Sequence, residues 1–280
     1  MKAIQGESLR SVGTVRNYEQ ALTRVAEWVR ASRILGGLRE LTPSLAVSYL
    51  ESRGESVGQK TLDMERQAIQ AMMHHVTGIL PLTERLPVIR ADHPQILTGR
   101  AYTSEQISRI CAAQNPKNAL ATELAYAAGL RAHELYTLAR PDEQPPSVRQ
   151  ADTTKWAGRS GITYTVHGKG GLIREIQLPK VLASRLEAVR RDHPVILTDR
   201  GVNHISRYAL GGGHPWSNSF SAAAQRVLGW SAGAHGVRHS YAQERMRELQ
   251  HQGLLREAAL TTVSQEMGHF RPEITETYLR

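Results

Sequence analysis

Residues 235–239 read His-Gly-Val-Arg-His, and this short stretch decides which fold the sequence is expected to adopt. On a helix, His235, Arg238 and His239 lie on one face, because they are separated by three and four residues. Two histidines four apart also suit zinc, but no glutamate follows His235 and no third ligand is evident, so we expect no metal. Arginine repels a cation and binds anions. The stretch therefore predicts an anion site on a helix.

Three further segments carry side chains suited to the same anion. Residues 129–135 (Gly-Leu-Arg-Ala-His-Glu-Leu) place Arg131 after a glycine break, where its guanidinium donors can reach a phosphate. Lys169 lies between glycines at the predicted tip of a β-hairpin. Residues 267–269 (Met-Gly-His) end nine residues before Tyr278. Each segment alone also fits an ordinary role, such as an ion-paired arginine, a solvated lysine or a packed tyrosine.

Together, these side chains supply every group needed to break a phosphodiester bond without water. Such a reaction requires a side-chain nucleophile, cations for the charge on the pentacoordinate phosphorus, and an acid for the leaving 5′-oxygen. One tyrosine, two arginines, two histidines and one lysine fill these roles. The sequence shows no accompanying carboxylate cluster for catalytic Mg²⁺ and no Gly-x-x-x-x-Gly-Lys-Ser/Thr phosphate loop. It therefore predicts strand cleavage without a metal.

In this order the segments resemble the tyrosine recombinases, the family of phage and mobile-element integrases. The family pattern is Gly-Leu-Arg-x-x-Glu-Leu, a hairpin lysine, His-x-x-Arg-His, Gly-His, and a tyrosine nine residues after that histidine. The matching residues here are Arg131, Lys169, His235, Arg238, His269 and Tyr278. The resemblance covers residues 103–280, and the helical segment before them is similar, less specifically, to the family's core-binding domain. His133 departs from the pattern, because the family usually has an aliphatic residue there.

The resemblance implies how the phosphate would be held. Arg131 and Arg238 would bind its non-bridging oxygens and stabilise the charge that grows in the transition state. His269 would form a hydrogen bond with a phosphate oxygen. His235 would help to activate the tyrosine or to position the phosphate.

The resemblance also implies the covalent steps and the partners. Tyr278 would form a 3′-phosphotyrosyl bond, and Lys169 would protonate the departing 5′-hydroxyl. Because the new bond conserves the phosphodiester energy, neither ATP nor a metal nor another cofactor is implied. The implied activity is site-specific recombination or integration. The implied assembly is a homo-tetramer that binds two double-stranded DNA sites, each with a specific core sequence.

Two other functions stay open from the residues alone. A type IB topoisomerase-like enzyme shares the chemistry and would relax supercoiled DNA rather than exchange strands. A non-catalytic DNA-binding regulator would suit the basic charge and the helices, yet it has no need of the full catalytic set. The two-domain layout favours recombination.

The composition is that of a protein with a polyanionic partner. The chain has 35 Lys and Arg against 26 Asp and Glu, a net charge of +9 and a pI near 9.9. We expect DNA contacts from Lys60 and Arg66 on the third helix and from Arg174 in the hairpin. The single cysteine, Cys111, excludes an intramolecular disulfide and fits buried packing. Because no signal peptide or long apolar run is present, we expect a cytoplasmic, nucleoid-associated protein without membrane contact.

The expected fold is mainly α with a small β-sheet. A helical core-binding domain is predicted at residues 1–90, a linker at 91–100 and an α+β catalytic domain at 101–280. Prolines 81, 87 and 94 mark the break between the two domains, because proline interrupts a helix.

Apolar residues spaced three and four apart predict the helices of the first domain. These are residues 11–31, capped by Ser11 or Thr14, residues 43–50, stopping near Gly54, and residues 60–77. For the second domain we predict an N-cap at Thr103, a helix over 118–128, a helix from about Arg131, a hairpin of strands 162–166 and 172–178, and helices from Pro179 onward with a glycine break at 211–213.

Overall fold

The structure, a computed structural model, describes residues 4–6, 9, 12–94 and 98–280. The chain divides into two compact units, Met1–Leu97 and Thr98–Arg280. The predicted cap at Ser11 and residues 95–97 of the predicted linker lie outside the described residues. The elements are mainly helices with small antiparallel hairpins, which confirms the predicted fold class.

Three helices form the first unit: α1 (Val12–Ala31), α2 (Pro43–Gly54) and α3 (Gln59–Met72), the last followed by a wider helical turn over Met73–Thr77. All three confirm the predicted helices. Each helix turns an apolar face inward, as its spacing requires. The shared core contains Val25, Val29, Tyr49, Leu50, Leu62, Ile69 and Met73.

The proline-containing segment that follows is bound to the first unit as far as His93. Leu86 is buried in the core. The Asp92 amide donates to the Gly54 carbonyl at 3.0 Å, and the His93 ring contacts the Glu55 carbonyl at 2.7 Å. Proline removes its own amide donor and blocks a helix, but its neighbours keep their backbone groups for such bonds. Residues 91–93 of the predicted linker therefore pack with the helices.

The second unit begins with α4 (Ser104–Ala112) and α5 (Pro116–Ala128). Thr103 caps α4 as predicted, because its hydroxyl accepts from the Gln106 amide while the Gln106 side chain accepts from the Thr103 amide. Cys111 is half-buried at the end of α4 and packs against the core.

Helix α5 ends at Gly129, which adopts a left-handed conformation with φ 58°. A Cβ there would lie 2.6 Å from Cδ1 of Tyr241, so the position requires glycine for space as well as for φ. The helix predicted to start at Arg131 is absent: the chain turns there, and only the short 3₁₀ turn Glu134–Tyr136 follows. The Arg131 amide and guanidinium donate to the Glu134 carboxylate, and these bonds hold the turn together with the 3₁₀ bond from the Glu134 amide to the Arg131 carbonyl.

The predicted hairpin is present as β1 (Ile162–His167) and β2 (Ile173–Leu178). Its alternating pattern buries Tyr164 and Val166 on β1 against the core of the second unit. A short 3₁₀ turn, Lys169–Gly171, forms its tip.

A second hairpin corrects the prediction that only helices follow Pro179. After α6 (Lys180–Glu187), β3 (Arg190–Asp199) pairs with β4 (Val202–Tyr208). The turn residues Arg200 and Gly201 both have positive φ, as a two-residue hairpin loop with type I′ geometry requires. The β-branched run in β3 and this Asp-Arg-Gly turn were the overlooked strand signals.

Four helices complete the second unit: α7 (Gly213–Leu228), α8 (Gly236–His251), α9 (Arg256–Glu266) and α10 (Pro272–Thr275). The predicted glycine break thus leads directly into α7. A last 3₁₀ turn, Glu276–Tyr278, carries the terminal tyrosine into a buried cluster of α8 and α9 residues. None of the helices in the described part of the chain combines the length and apolarity that a bilayer crossing requires.

Candidate active site

The second unit brings five of the six predicted catalytic residues together around the ring of Tyr278. The His269 ring is stacked on it, with centroids 5.1 Å apart and planes 30° apart. The His235 centroid lies 5.5 Å away, and the guanidinium carbon of Arg238 is 5.6 Å from the ring centre. Arg131 is linked to the group through Arg174, which binds the same Glu134 carboxylate as Arg131 and the same Gly129 carbonyl as Arg238.

Arg238 projects from the first turns of α8 and is fully buried. Its Nη1 donates to the Gly129 carbonyl, and its Nη2 donates to the Met267 carbonyl and lies 3.0 Å from Nε2 of His269. Its Nε has no hydrogen-bond partner within the described residues. Burial, followed by repulsion from Arg131, lowers the pKa of Arg238 to about 9. The group therefore stays a cation at neutral pH and favours an anion beside it.

Arg131 is positioned by the turn that follows α5. Its Nη1 donates to Oε1 of Glu134 at 2.7 Å, and its amide donates to Oε2 at 2.9 Å. Burial alone would raise the pKa of Glu134, but the surrounding arginines, Arg174 first, hold that pKa well below its usual range. The Arg131 side chain remains 19% exposed, so part of the guanidinium faces outward. The Glu134 carboxylate thus lies beside several guanidinium groups at once.

His269 is held between two partners. Its Nε2 lies 3.0 Å from Nη2 of Arg238, and its Nδ1 lies 3.0 Å from the Thr275 hydroxyl. Because a guanidinium only donates, Nε2 accepts and Nδ1 carries the proton. Burial, then the charges of Arg238 and Arg131, lower the pKa of His269 to about 3. The ring is therefore neutral and tied to α10 through Thr275.

Two more histidines, one just before α8 and one within it, contact the tyrosine ring. His235 is the N-cap of α8, and burial followed by the charge of Arg238 lowers its pKa. His239 packs with its centroid 4.7 Å from that of Tyr278. His239 is buried, its Nδ1 has no partner among the described residues, and burial lowers its pKa to about 4. The sequence placed His239 on this face but gave it no role.

Lys169 is not brought to this group. It is exposed at the tip of the first hairpin and forms no hydrogen bond or ion pair with the described residues. The base of the tip lies closer, since a Cβ on Gly168 would be 3.4 Å from Oε1 of Glu134. Gly170 and Gly171 both have positive φ, which keeps the tip free of bulky side chains.

The three predicted DNA contacts differ in exposure. Lys60 is exposed on α3. Arg66 is 16% exposed, and its Nη1 donates to the Leu86 carbonyl at 3.2 Å. The predicted DNA contact of Arg174 is wrong, because its side chain is 3% exposed and forms a 2.7 Å ion pair with Glu134. A guanidinium enclosed in this way does not reach DNA.

Two contributors were not found from the sequence. Thr275, which orients His269, belongs to a short helix without a distinctive motif. Arg174, expected from the sequence to contact DNA, lies on the buried face of β2 with Ile176 and Leu178. Within the described residues, no group of three or more His, Cys, Asp or Glu side chains could hold a metal ion.

The fold is similar to those of several solved DNA complexes. A lambda integrase dimer bound to a COC′ core site has a TM-score of 0.61 at 16% identity, with 100% of this chain and 92% of that chain covered. The Tn1549 transposon integrase with transposon right end DNA has a TM-score of 0.60 at 14% identity and covers 100% and 92%. XerH site-specific recombinase bound to difH has a TM-score of 0.56 at 16% identity and covers 95% and 75%.

Neither a protein-family profile nor a curated protein sequence matches the chain. The likeness to solved structures therefore rests on the path of the backbone through both units, since identities of 14–16% preserve little of the side-chain set. On that likeness, the chain has the fold of the tyrosine recombinases.

Proposed function

We propose that this chain is a site-specific DNA recombinase or integrase that cleaves and rejoins DNA through Tyr278. One observation carries the proposal: a phenol near the end of the chain is packed against three histidines and lies beside a fully buried arginine. A tyrosine that only fills a core needs neither the three imidazoles nor the buried guanidinium. A nucleophile that attacks a phosphate needs them all.

The arginines supply the electrostatic part of the reaction. A phosphate placed against Arg238 and the outward part of Arg131 would gain donors on both non-bridging oxygens. Glu134 is shared by Arg131 and Arg174, and Arg238 has no ion pair in the described part of the chain, so a net positive charge remains for that anion. In comparable sites, removal of one such donor slows the reaction about 10²–10³-fold.

The histidines manage protons and orientation. His235 and His269 are neutral, with pKa values lowered by burial and by neighbouring arginines. A bound phosphate offsets the arginine charges and therefore raises both pKa values toward the range useful for proton transfer. His235 would then accept the phenol proton, while His269 would bind a phosphate oxygen.

The covalent steps balance without a cofactor. The Tyr278 oxygen bonds to phosphorus, the bond from phosphorus to the 5′-oxygen breaks, and Lys169 gives its proton to that oxygen. The reverse sequence, with a 5′-hydroxyl from another strand as nucleophile, releases the tyrosine. Lys169 is exposed on a glycine-flanked tip, from which its side chain would reach the 5′-oxygen of a bound strand.

The partner is double-stranded DNA with a specific core site, bound by a homo-tetramer across two such sites in the cytoplasm, at the nucleoid. The net charge of +9 supports a polyanionic partner. Binding should weaken with salt, with a slope near −0.9 for each phosphate neutralised. Exposed Lys60 is the candidate contact in the first unit.

A nicked suicide duplex tests the proposal. Its half-site is first selected from a random library by binding, and the covalent adduct is then scored on a denaturing gel. Tyr278→Phe should abolish the adduct and keep DNA affinity. Tyr136→Phe is the matched control, because it removes a phenol of the second unit that does not contact the site's histidines.

Two results would contradict the proposal. Wild-type protein that binds DNA and never forms an adduct would be a non-catalytic regulator. Adducts that form on any sequence, together with relaxation of plasmids that lack the selected site, would indicate a type IB topoisomerase-like enzyme.

A further inference from the structure

We infer that Arg174 is a positioning residue that holds both phosphate-binding arginines in their working geometry. The inference rests on the proposed function, because it concerns the same phosphate site. Arg174 lies on β2, in the hairpin whose tip carries Lys169, and its side chain is 3% exposed.

Every nitrogen of the Arg174 guanidinium has an acceptor. Nη2 binds Oε2 of Glu134 at 2.7 Å and the Gly129 carbonyl at 3.4 Å. Nη1 donates to the Glu266 carbonyl at 2.6 Å, and Nε lies 3.5 Å from Oε1 of Glu134. The planar fork therefore joins three segments of chain: the turn after α5, the end of α9 and β2 itself.

The first link runs to Arg131. Both oxygens of Glu134 that contact Arg174 also accept from Arg131, Oε1 from the guanidinium and Oε2 from the amide. Arg174 and Arg131 thus share one fully buried carboxylate. Because Arg174 fixes the plane of that carboxylate, it also fixes the direction of the Arg131 guanidinium.

The second link runs to Arg238. The Gly129 carbonyl accepts from both Arg174 and Arg238, and the two arginines bind the successive carbonyls of Glu266 and Met267. Displacement of Arg174 would therefore shift the two backbone oxygens that hold Arg238.

The same side chain explains the glycine before His269. A Cβ on Gly268 would lie 2.6 Å from Cδ of Arg174, and Gly268 also has φ 72°. The chain bends closely around the Arg174 stem and then presents His269 to the site. Arg174 is thus packed against three of the segments that carry site residues.

Lysine is the informative replacement. It keeps the positive charge that balances Glu134, but its single ammonium cannot span acceptors on three segments. Arg174→Lys therefore tests geometry with the charge preserved.

Arg245→Lys is the matched control. Arg245 is fully buried in the same unit and binds the carboxylate of Glu266 through Nε at 3.0 Å and Nη2 at 3.0 Å. It has no hydrogen bond to Arg131, Glu134 or Arg238 in the described residues. Both variants weaken one buried arginine fork, and only Arg174 shares hydrogen-bond acceptors with Arg131 and Arg238.

The assay is Tyr278 adduct formation on the suicide duplex with the selected half-site. We expect Arg174→Lys to slow cleavage about 100-fold, the size of a lost transition-state donor, with DNA affinity changed less than about threefold. Arg245→Lys should slow it less than about fivefold on the same argument. Melting temperatures show whether the two variants lose similar stability.

A second substrate separates positioning from a structural effect. Replacement of one non-bridging oxygen of the scissile phosphate by methyl removes the charge that the arginines stabilise. On this methylphosphonate the Arg174→Lys defect, relative to wild type, should shrink to less than about tenfold. The Arg245→Lys defect should be the same on both substrates.

If Arg174→Lys fails to fold, Glu134→Gln with Arg174→Met removes both buried charges together, a change that proteins often tolerate. This double variant should cleave more slowly than wild type, because the carboxylate and guanidinium that orient Arg131 are both gone. The inference is overturned if the double variant cleaves at the wild-type rate, if Arg174→Lys is no slower than Arg245→Lys, or if its defect is equal on the methylphosphonate. Absence of any wild-type adduct would instead overturn the proposed function, and the inference with it.

Discussion

A buried glutamate lies among arginines in each unit, and the Glu65 cluster of the first unit and the Glu134 cluster of the second have different chemistry. In the first unit Glu65, which is 0% exposed, accepts from the Tyr49 hydroxyl at 2.8 Å and from Nε and Nη2 of Arg53, both at 3.1 Å. Arg24 adds a 3.7 Å contact but is 47% exposed. This cluster ties α2 to α3, and each buried donor in it has an acceptor.

In the Glu134 cluster of the second unit, the arginines outnumber the carboxylate that they surround. Glu134 is equally buried, but Arg174 and Arg131 both bind it, and Arg238 lies near enough to lower its pKa further. Arg238 has no ion pair with any carboxylate in the described residues, and its Nε is unpaired. A balanced buried pair is structural, whereas an excess of buried cations needs an anion from outside.

The largest expected effect comes from removal of the two carboxylate charges. Glu134→Gln leaves Arg174, 3% exposed, without a counter-charge and should lower the free energy of unfolding by about 3–5 kcal/mol. Glu65→Gln should cost about 1–3 kcal/mol, because Arg53 and Arg24 can turn toward water. Urea unfolding of both variants measures the difference. Equal losses of unfolding free energy would show that the two carboxylates contribute equally to stability.

Replacement of an arginine should reverse this order, with the larger loss of stability in the first unit. Arg238→Met removes a buried charge whose pKa is already lowered to about 9, so stability should change by less than about 1 kcal/mol. Cleavage should nevertheless fall about 10²–10³-fold. Arg53→Met leaves the buried Glu65 carboxylate without its ion-pair partner and should lower the free energy of unfolding by about 3 kcal/mol. Thermal melts and the suicide-substrate assay on both variants test this reversal, which would fail if Arg238→Met were the less stable protein.

Sequence patterns identified side chains that the structure brings close together, but not the groups that hold them in place. The order of Arg131, His235, Arg238, His269 and Tyr278 is local information, and the structure brings these five together. The alternation of β2 places Arg174 on the face of Ile176 and Leu178, but its role depends on acceptors from Glu134, Gly129 and Glu266, which distant segments bring to that face. The distance of Lys169 from the phenol depends in the same way on how the tip is placed.

The fold shows the same limit. Helices with caps and apolar faces, such as α1 and α4, were predictable because their signals lie within a dozen residues. The second hairpin was missed, since β3 is mostly exposed and lacks the buried alternation that marked the first hairpin. The sequence predicts a helix after Gly129, but the backbone bonds there span three residues and form only a short 3₁₀ turn, with the Glu134 carboxylate bound to the Arg131 amide.

Acid should weaken the cation-rich site specifically. The folded pKa values of His239 and His269 are lowered to about 4 and about 3, so the unfolded chain binds their protons first as pH falls below about 6.5. Stability from these neutral rings is complete above that pH and is lost as pH decreases, by up to about 1.4 kcal/mol per pH unit for each histidine. Urea unfolding from pH 7 to pH 5 measures the slope. His239→Gln should flatten it by about the share of one histidine, and an unchanged slope would contradict the neutral assignment.

The smallest expected effect concerns DNA binding by the first unit. Arg53 of its Glu65 cluster is already bound to the buried carboxylate, so binding must come from more exposed side chains. Lys60 is exposed, whereas Arg66 already donates to the Leu86 carbonyl. Lys60→Gln should therefore reduce the slope of log affinity against log salt by about 0.9, the share of one phosphate contact, while Arg66→Gln should leave the slope unchanged. Salt titrations of both variants on one selected half-site make the comparison. Equal slope changes would mean that Arg66 leaves Leu86 to bind DNA, and that internal hydrogen bonds do not decide which cations of this unit meet the phosphates.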